Sequence, residues 1–280
     1  MMTLTQAAQV FNKQRFTDAY GTAYFYGQVL PYPDSTRSGQ SSKRRILEVA
    51  YGTAIPAKGV VRELASSQLY LVAEGANDYF RGSVIRVKHP VVPVEDVFAI
   101  RTIGQILSNT GGVTDAYAVP TYIRRVVFET QQSDYDGGYE MYHSNYYTVA
   151  AGSIFYGGGK YYRARENSRT DDIGLGVTEV VELDSPVQTL TFQAAGTTYS
   201  PANDNFTPPA AVTGVSCFVE KIFLDFDHVA LGFVKPEEGD KAISFLKATV
   251  TTVKPGDTIG SYKVRSVTDR STFWTIHGRK

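Results

Sequence analysis

Residues 154–166 read IFYGGGKYYRARE, and a glycine run closing on Lys160 is one arrangement that could cradle a phosphate. A phosphate loop needs two glycines with four residues between them, then lysine and a hydroxyl residue, so that backbone N–H groups ring the anion and the hydroxyl holds magnesium. Here Ile154 stands where the first glycine should be and Tyr161 where the hydroxyl residue should be. The following YYRARE alternates like a strand, whereas a phosphate loop must open a helix. The glycines therefore read as the turn of a β-hairpin, where positive φ is reached at no steric cost.

Other residue types that carry chemistry are sparse. The four histidines, His89, His143, His228 and His277, lie in no metal-binding spacing, and Cys217 has no second cysteine to join it, so it reads as a small buried hydrophobe. Asp225, Asp227 and His228 are neighbours, but a strand would send the histidine to the face opposite the two carboxylates. Asp134, Asp136 and Glu140 around Gly137 look superficially like a calcium loop, yet they lack its full oxygen set and read as a polar turn. Asp171 and Asp172, with Glu166 and Glu179 nearby, are the residues a glycoside hydrolase could use as an acid/base pair. Basic clusters stand at Lys43-Arg44-Arg45, at Arg124-Arg125, and at Lys160, Arg163 and Arg165. The last is interleaved with Tyr161 and Tyr162, a mixture that can stack on bases and neutralise phosphates, or simply line a protein interface. No metal and no cofactor is expected.

The elements that would hold these residues are mostly strands. From Arg45 onward short strand-like runs such as RILEVAYG, LYLVAEG, NYYTVAAG, VTEVVELD, VQTLTFQA and STFWTIHG stand between turn formers, many of them alternating apolar and polar residues. Strands alternating with long amphipathic helices are missing, which removes the doubly wound nucleotide folds. The expected class is all-β, sandwich- or barrel-like, with a short N-terminal helix and long exposed loops. The helix is placed near residues 4–19, from a Thr3/Gln6 capping box to Gly21. A second short helix is placed near 94–108. The expected division is an N-terminal helix and arm over 1–43, a main β domain over 44–195, a linker or long loop over 196–214, and a small β domain over 215–280.

Twenty-eight basic residues balance 28 acidic ones, so no net field draws the whole chain to nucleic acid or to an anionic membrane, and any such contact must be a local patch. No apolar run reaches transmembrane length and the first residues have no signal-peptide core, so a soluble protein made in a cytoplasm is expected. The unusual counts are 19 tyrosines and 25 glycines against one tryptophan, a skew toward stiff amphipathic contact area and tight turns. Sliding the chain by 77 positions lays 70–88 over 147–165 without a gap and matches Tyr70/Tyr147, Val72/Val149, Ala73/Ala150, Gly75/Gly152, Tyr79/Tyr156, Gly82/Gly159 and Arg86/Arg163. This suggests an internal duplication.

The capped N-terminal helix, the arm PYPDSTRSGQSSK, the Tyr/Gly-rich segments and the β unit around KPGDTIGSYKVRSV together resemble a virion structural protein of tailed double-stranded DNA bacteriophages. In style they are similar to the head-completion, stopper and neck proteins of the head-to-tail connector. That resemblance implies a non-enzymatic role in the virion. Copies of the chain would form a ring at the head–tail junction, with neighbouring head or tail proteins as partners. Packaged duplex DNA would be touched without sequence readout by Lys160, Arg163, Arg165, Arg124 and Arg125. Tyr79, Tyr156, Tyr161, Tyr162, Arg37 and Lys43 would lie at interfaces. The alternatives are a carbohydrate-binding or hydrolytic β-sandwich using Asp171 or Asp172, and a capsid decoration or tail component.

Overall fold

The computed structural model describes residues 14–18, 21–32, 44–55, 59–73, 77–81, 84–108, 118–125, 138–171, 174–196, 198–201, 205–222 and 237–280. The chain falls into two compact units, Met1–Ile100 with Val113–Glu182, and Arg101–Gly112 with Leu183–Lys280. Among the described residues they contain three antiparallel six-stranded barrels.

Barrel 1 is built from β1 (Gln14–Asp18), β2 (Tyr24–Pro31), β3 (Arg45–Ala50), β4 (Val60–Glu63), β5 (Leu69–Val72) and β7 (Val84–Pro93), with β6 (Asn77–Arg81) appended to β7. The spatial order is β3-β2-β1-β4-β5-β7, closed by pairing of β7 with β3. Barrel 2 comprises β8 (Asp96–Arg101), β9 (Ala118–Arg125), β10 (Gly138–His143), β11 (Ile154–Gly157), β12 (Lys160–Ala164) and β14 (Gly176–Leu183), with β13 (Arg169–Thr170) appended to β14. Its order is β10-β9-β8-β11-β12-β14, closed by β14 on β10. In the second unit, barrel 3 uses β15 (Val187–Gln193), β18 (Val212–Lys221), β19 (Lys241–Leu246), β20 (Thr258–Ile259), β21 (Tyr262–Asp269) and β22 (Phe273–Arg279). A separate hairpin of β16 (Thr198–Ser200) and β17 (Asn205–Thr207) is inserted after its first strand. Read from the third strand, its order is β19-β18-β15-β20-β21-β22, closed by β22 on β19. Numbered along the chain within each barrel, all three follow 3-2-1-4-5-6, a Greek-key path in which the fourth strand returns beside the first.

The all-β class is thus observed, as closed barrels. The repeat lies in the strand order and not in the segments that sequence similarity paired. Residues 70–88 run through the fifth, appended and sixth strands of barrel 1, whereas 147–165 hold a loop and the fourth and fifth strands of barrel 2. Two Tyr/Gly-rich hairpins look alike without occupying equivalent places.

The N-terminal helix is a correction over its described part: Gln14–Asp18 is strand β1, and the preceding residues lie outside the described residues. Phe16 is fully buried and stacks on Phe25 of β2, with ring centroids 5.5 Å apart. Its strand pairs with β2 on one side and β4 on the other, so over 14–18 tertiary pairing decides the local structure. Gly21 does take positive φ, but in the β1–β2 turn, where the Asp18 carboxylate accepts from the Thr22 and Ala23 amides and the Thr22 hydroxyl. The second expected helix is present only as Ile103–Ser108, its upstream half being β8. Thr102 and Gln105 cap it reciprocally: the Gln105 amide donates to Thr102 Oγ1 at 3.3 Å and the Thr102 amide to Gln105 Oε1 at 2.8 Å.

Residues 196–214 connect two strands of one barrel, and β15, placed with the main domain by the sequence, belongs to barrel 3. The arm over 33–43 lies outside the described residues. Barrel interiors follow the pleat: Phe16, Leu47, Val49, Val61 and Val91 fill barrel 1, Phe98, Met141, Phe155, Tyr162 and Val180 fill barrel 2, and Val215, Cys217, Ile243, Phe245 and Ile276 fill barrel 3. Within the first unit a seam of Val60, Leu71, Val92 and Val94 against Tyr142, Leu175 and Val177 joins barrels 1 and 2 through their outer faces.

Candidate interface site

The sequence points to the β11–β12 hairpin, and its three glycines answer to two physical demands. Gly158 and Gly159 have φ of +58° and +79°, two successive positive values that make the tight two-residue turn whose twist suits a hairpin. Gly157 lets β11 approach β8 closely, since a Cβ there would lie 2.5 Å from the Val97 carbonyl oxygen. Lys160 opens a strand and is exposed at the tip. No helix follows, so the run is hairpin chemistry and not a phosphate cradle.

Across this hairpin Tyr156 pairs with Tyr161, and their rings stack with centroids 4.6 Å apart. Strand alternation puts Tyr161 and Arg163 on the outer face together with Tyr156, while Tyr162 and Ala164 turn inward. Arg163 and Arg165 are half-buried. Tyr162 is corrected from interface to core. It is 2% exposed, stands edge-to-face against Phe98 and Tyr139, and its phenol is pushed up to about 12, first by burial and then by Glu182. Arg124 and Arg125 lie on β9 opposite Glu140 and Tyr139 of β10, and Tyr79 lies on β6 opposite Arg86. Arg37 and Lys43 lie outside the described residues, as do Asp134, Asp136, Asp172, Asp225, Asp227 and His228. The structure therefore brings together Tyr156, Tyr161 and Arg163 on one surface, with Lys160 at its tip.

The candidate catalytic groups are tied into structure. His143 is fully buried inside barrel 2, where its Nδ1–H donates to the Ser144 carbonyl oxygen at 2.9 Å and Nε2 accepts from the Thr178 hydroxyl at 3.0 Å. Burial lowers its pKa, so this imidazole is held neutral. Gly176 makes room for the ring, because a Cβ there would lie 2.5 Å from His143 Cε1. Asp171 accepts from the Leu175 amide at 2.8 Å and stands 3.8 Å from the Arg44 guanidinium, so it closes a turn. Cys217 sits inside barrel 3 with its thiol pushed up to about 12 by burial, which removes it as a nucleophile at neutral pH.

Two buried charge networks carry no mark in the sequence. On barrel 1 the Arg86 guanidinium pairs with Glu48, both buried although both project from the outer face of their strands. At barrel 3 the Asp240 carboxylate accepts from His277 Nε2 at 2.5 Å, from Arg279 Nη2 at 2.9 Å and from the Glu237 amide at 2.8 Å, while Arg279 Nη1 reaches Glu237 Oε1 at 2.5 Å. Burial pulls the Asp240 carboxyl up, but the bonds from Arg279, the Glu237 amide and His277 outweigh it and hold it at about 2. His277 points away from the barrel interior and would read as exposed, because the groups that bury it are remote in sequence.

Compared with known proteins, the chain matches no family model, no curated protein and no solved structure.

Proposed function

We propose that the protein is a non-enzymatic structural component of a tailed double-stranded DNA phage particle, assembled with copies of itself into a ring at the head–tail junction as a neck, stopper or collar piece. One observation carries the reading. Among the described residues, the buried histidines and carboxylates are spent on holding barrels together, while the large aromatic side chains left exposed, Tyr24 (52%), Tyr51 (64%), Tyr146 (62%) and Phe206 (54%), stand at strand ends, turns and the inserted hairpin. Aromatic residues in such places suit contacts between polypeptides. Closed barrels keep few free edges, so neighbours would meet through loops and hairpin tips.

In this reading Lys160, Arg163 and Arg165, with Arg124 and Arg125, face packaged duplex and contact phosphates without reading bases. Neighbouring head and tail proteins complete the contacts, and the protein resides in the virion. The hydrolytic alternative is weakened by Asp171, whose carboxylate already serves Leu175 and Arg44.

Native mass spectrometry of the purified chain tests the reading. Closed multimers are expected; single chains that bind or cleave glycans would replace it with the carbohydrate reading. Particles carrying Arg163→Ala should release DNA at lower salt, and unchanged retention would remove this hairpin from the DNA path.

A further inference from the structure

The helix Ile103–Ser108 lies, by sequence, in the connection between β8 and β9, two strands of barrel 2. By contact it belongs to the second unit, where it packs on β18 and β19. At six residues it is far too short to be helical alone, so docking is what keeps it folded. Leu107 is its buried anchor, and Gly104 fits against the turn before β22, where a Cβ would lie 3.4 Å from both Thr272 Oγ1 and Phe273 Cδ1. The hydrogen bonds of its cap, between Thr102 and Gln105, close within the segment. From Thr102 to Gly112 the chain, TIGQILSNTGG, has no charged residue. The outer face of the strands below it is buried at Phe218, Ala242, Ser244 and Thr275. An uncharged segment held by shape and apolar contact can be supplied equally well by any other copy of the chain.

We propose that this segment is a strap exchanged between copies: on assembly, residues 103–108 of one chain dock on the β18–β19 face of the next, and docking within one chain is the strap's storage position. The proposal rests on the reading of the protein as a ring of identical copies. Identical copies meeting head to tail close into a ring when the rotation between them allows it, and exchange of an identical element is a low-cost way to make that contact, since it needs no new surface.

The test is a full-length chain with Gly104→Cys and Thr272→Cys, oxidised after assembly and run on a non-reducing gel beside native mass spectrometry. Covalent dimers and longer ladders that collapse to single chains on reduction are expected. Rings whose chains carry only an internal bridge would overturn the exchange and leave the ring reading standing. Single chains by native mass would overturn both. As a second route, two differently tagged chains, one with Gly104→Cys and one with Thr272→Cys, are mixed before assembly. A disulfide joining the two tags supports the exchange, and its absence from assembled rings overturns it.

Discussion

Barrels 2 and 3 share one strand order yet bury a histidine in opposite ways. In barrel 2, His143 points inward from the third strand and its ring nitrogens meet a carbonyl and a hydroxyl, an environment that accepts a neutral ring. In barrel 3, His277 projects outward from the sixth strand and donates to a carboxylate that Arg279 also holds. The same framework thus supplies one site that rejects a proton and one anchored by a strong acid. Strand order decides where a residue can stand, and the chemistry of its immediate partners decides what that residue does.

The largest effect should come from removing the anchor. Asp240→Ala leaves Arg279 and His277 without their shared acceptor and should cost the second unit about 3 kcal/mol. Trp274, the sole tryptophan, lies in barrel 3 and reports that unit alone, so its fluorescence in urea should show an earlier midpoint. An unmoved midpoint would mean the network adds nothing. Next, Gly176→Ala pushes a methyl into the His143 ring and should cost barrel 2 about 1–3 kcal/mol. Adding His143→Ala to that variant should return part of the loss, and a double variant no better than the single would contradict the contact.

The comparison sharpens with pH. The folded pKa of His143 lies below the ordinary 6.5, so as pH falls through that value the unfolded chain takes up a proton the folded one refuses, and barrel 2 loses stability. Asp240 works in the other window. Its carboxyl at about 2, against the usual 3.8, contributes about 2 kcal/mol that is complete above the unfolded value and lost as pH falls toward the folded one. Hydrogen exchange should therefore show barrel 2 loosening between pH 7 and 5 while barrel 3 holds until about pH 4. Barrels that weaken together would erase the distinction. The smallest effect is expected at Tyr161→Ala, which removes the stacked cross-strand pair for about 0.5–1 kcal/mol without disturbing the turn, measured by urea unfolding followed by tyrosine signals.

Much of the sheet was legible. RILEVAYG, VTEVVELD and STFWTIHG alternate because one face of each strand lines a barrel, and β3, β14 and β22 stand where that alternation places them. The misses share a cause in tertiary context. NYYTVAAG looks like a strand yet is a loop after its turn, because Val149 reaches the barrel 2 core from outside any strand. GYE at 138–140, read as the end of an Asp/Gly turn, instead opens β10, which is paired on both sides by β9 and β14. Of the candidate site, the hairpin glycines followed from the sequence, whereas Tyr161 and Tyr162, placed together at interfaces, stand on opposite faces of β12. Asp240, His277 and Arg279 could not be linked, since 37 residues separate the first two and nothing in their spacing marks the meeting.

Cryo-electron microscopy of the purified, assembled protein bears most directly on the claim that this chain is a building part and not a catalyst. The reading predicts closed rings in which exposed turns and hairpins, among them those bearing Tyr51, Tyr146 and Phe206, lie at contacts between copies. Isolated single chains with a small molecule held against Asp171 or Lys160 would contradict it.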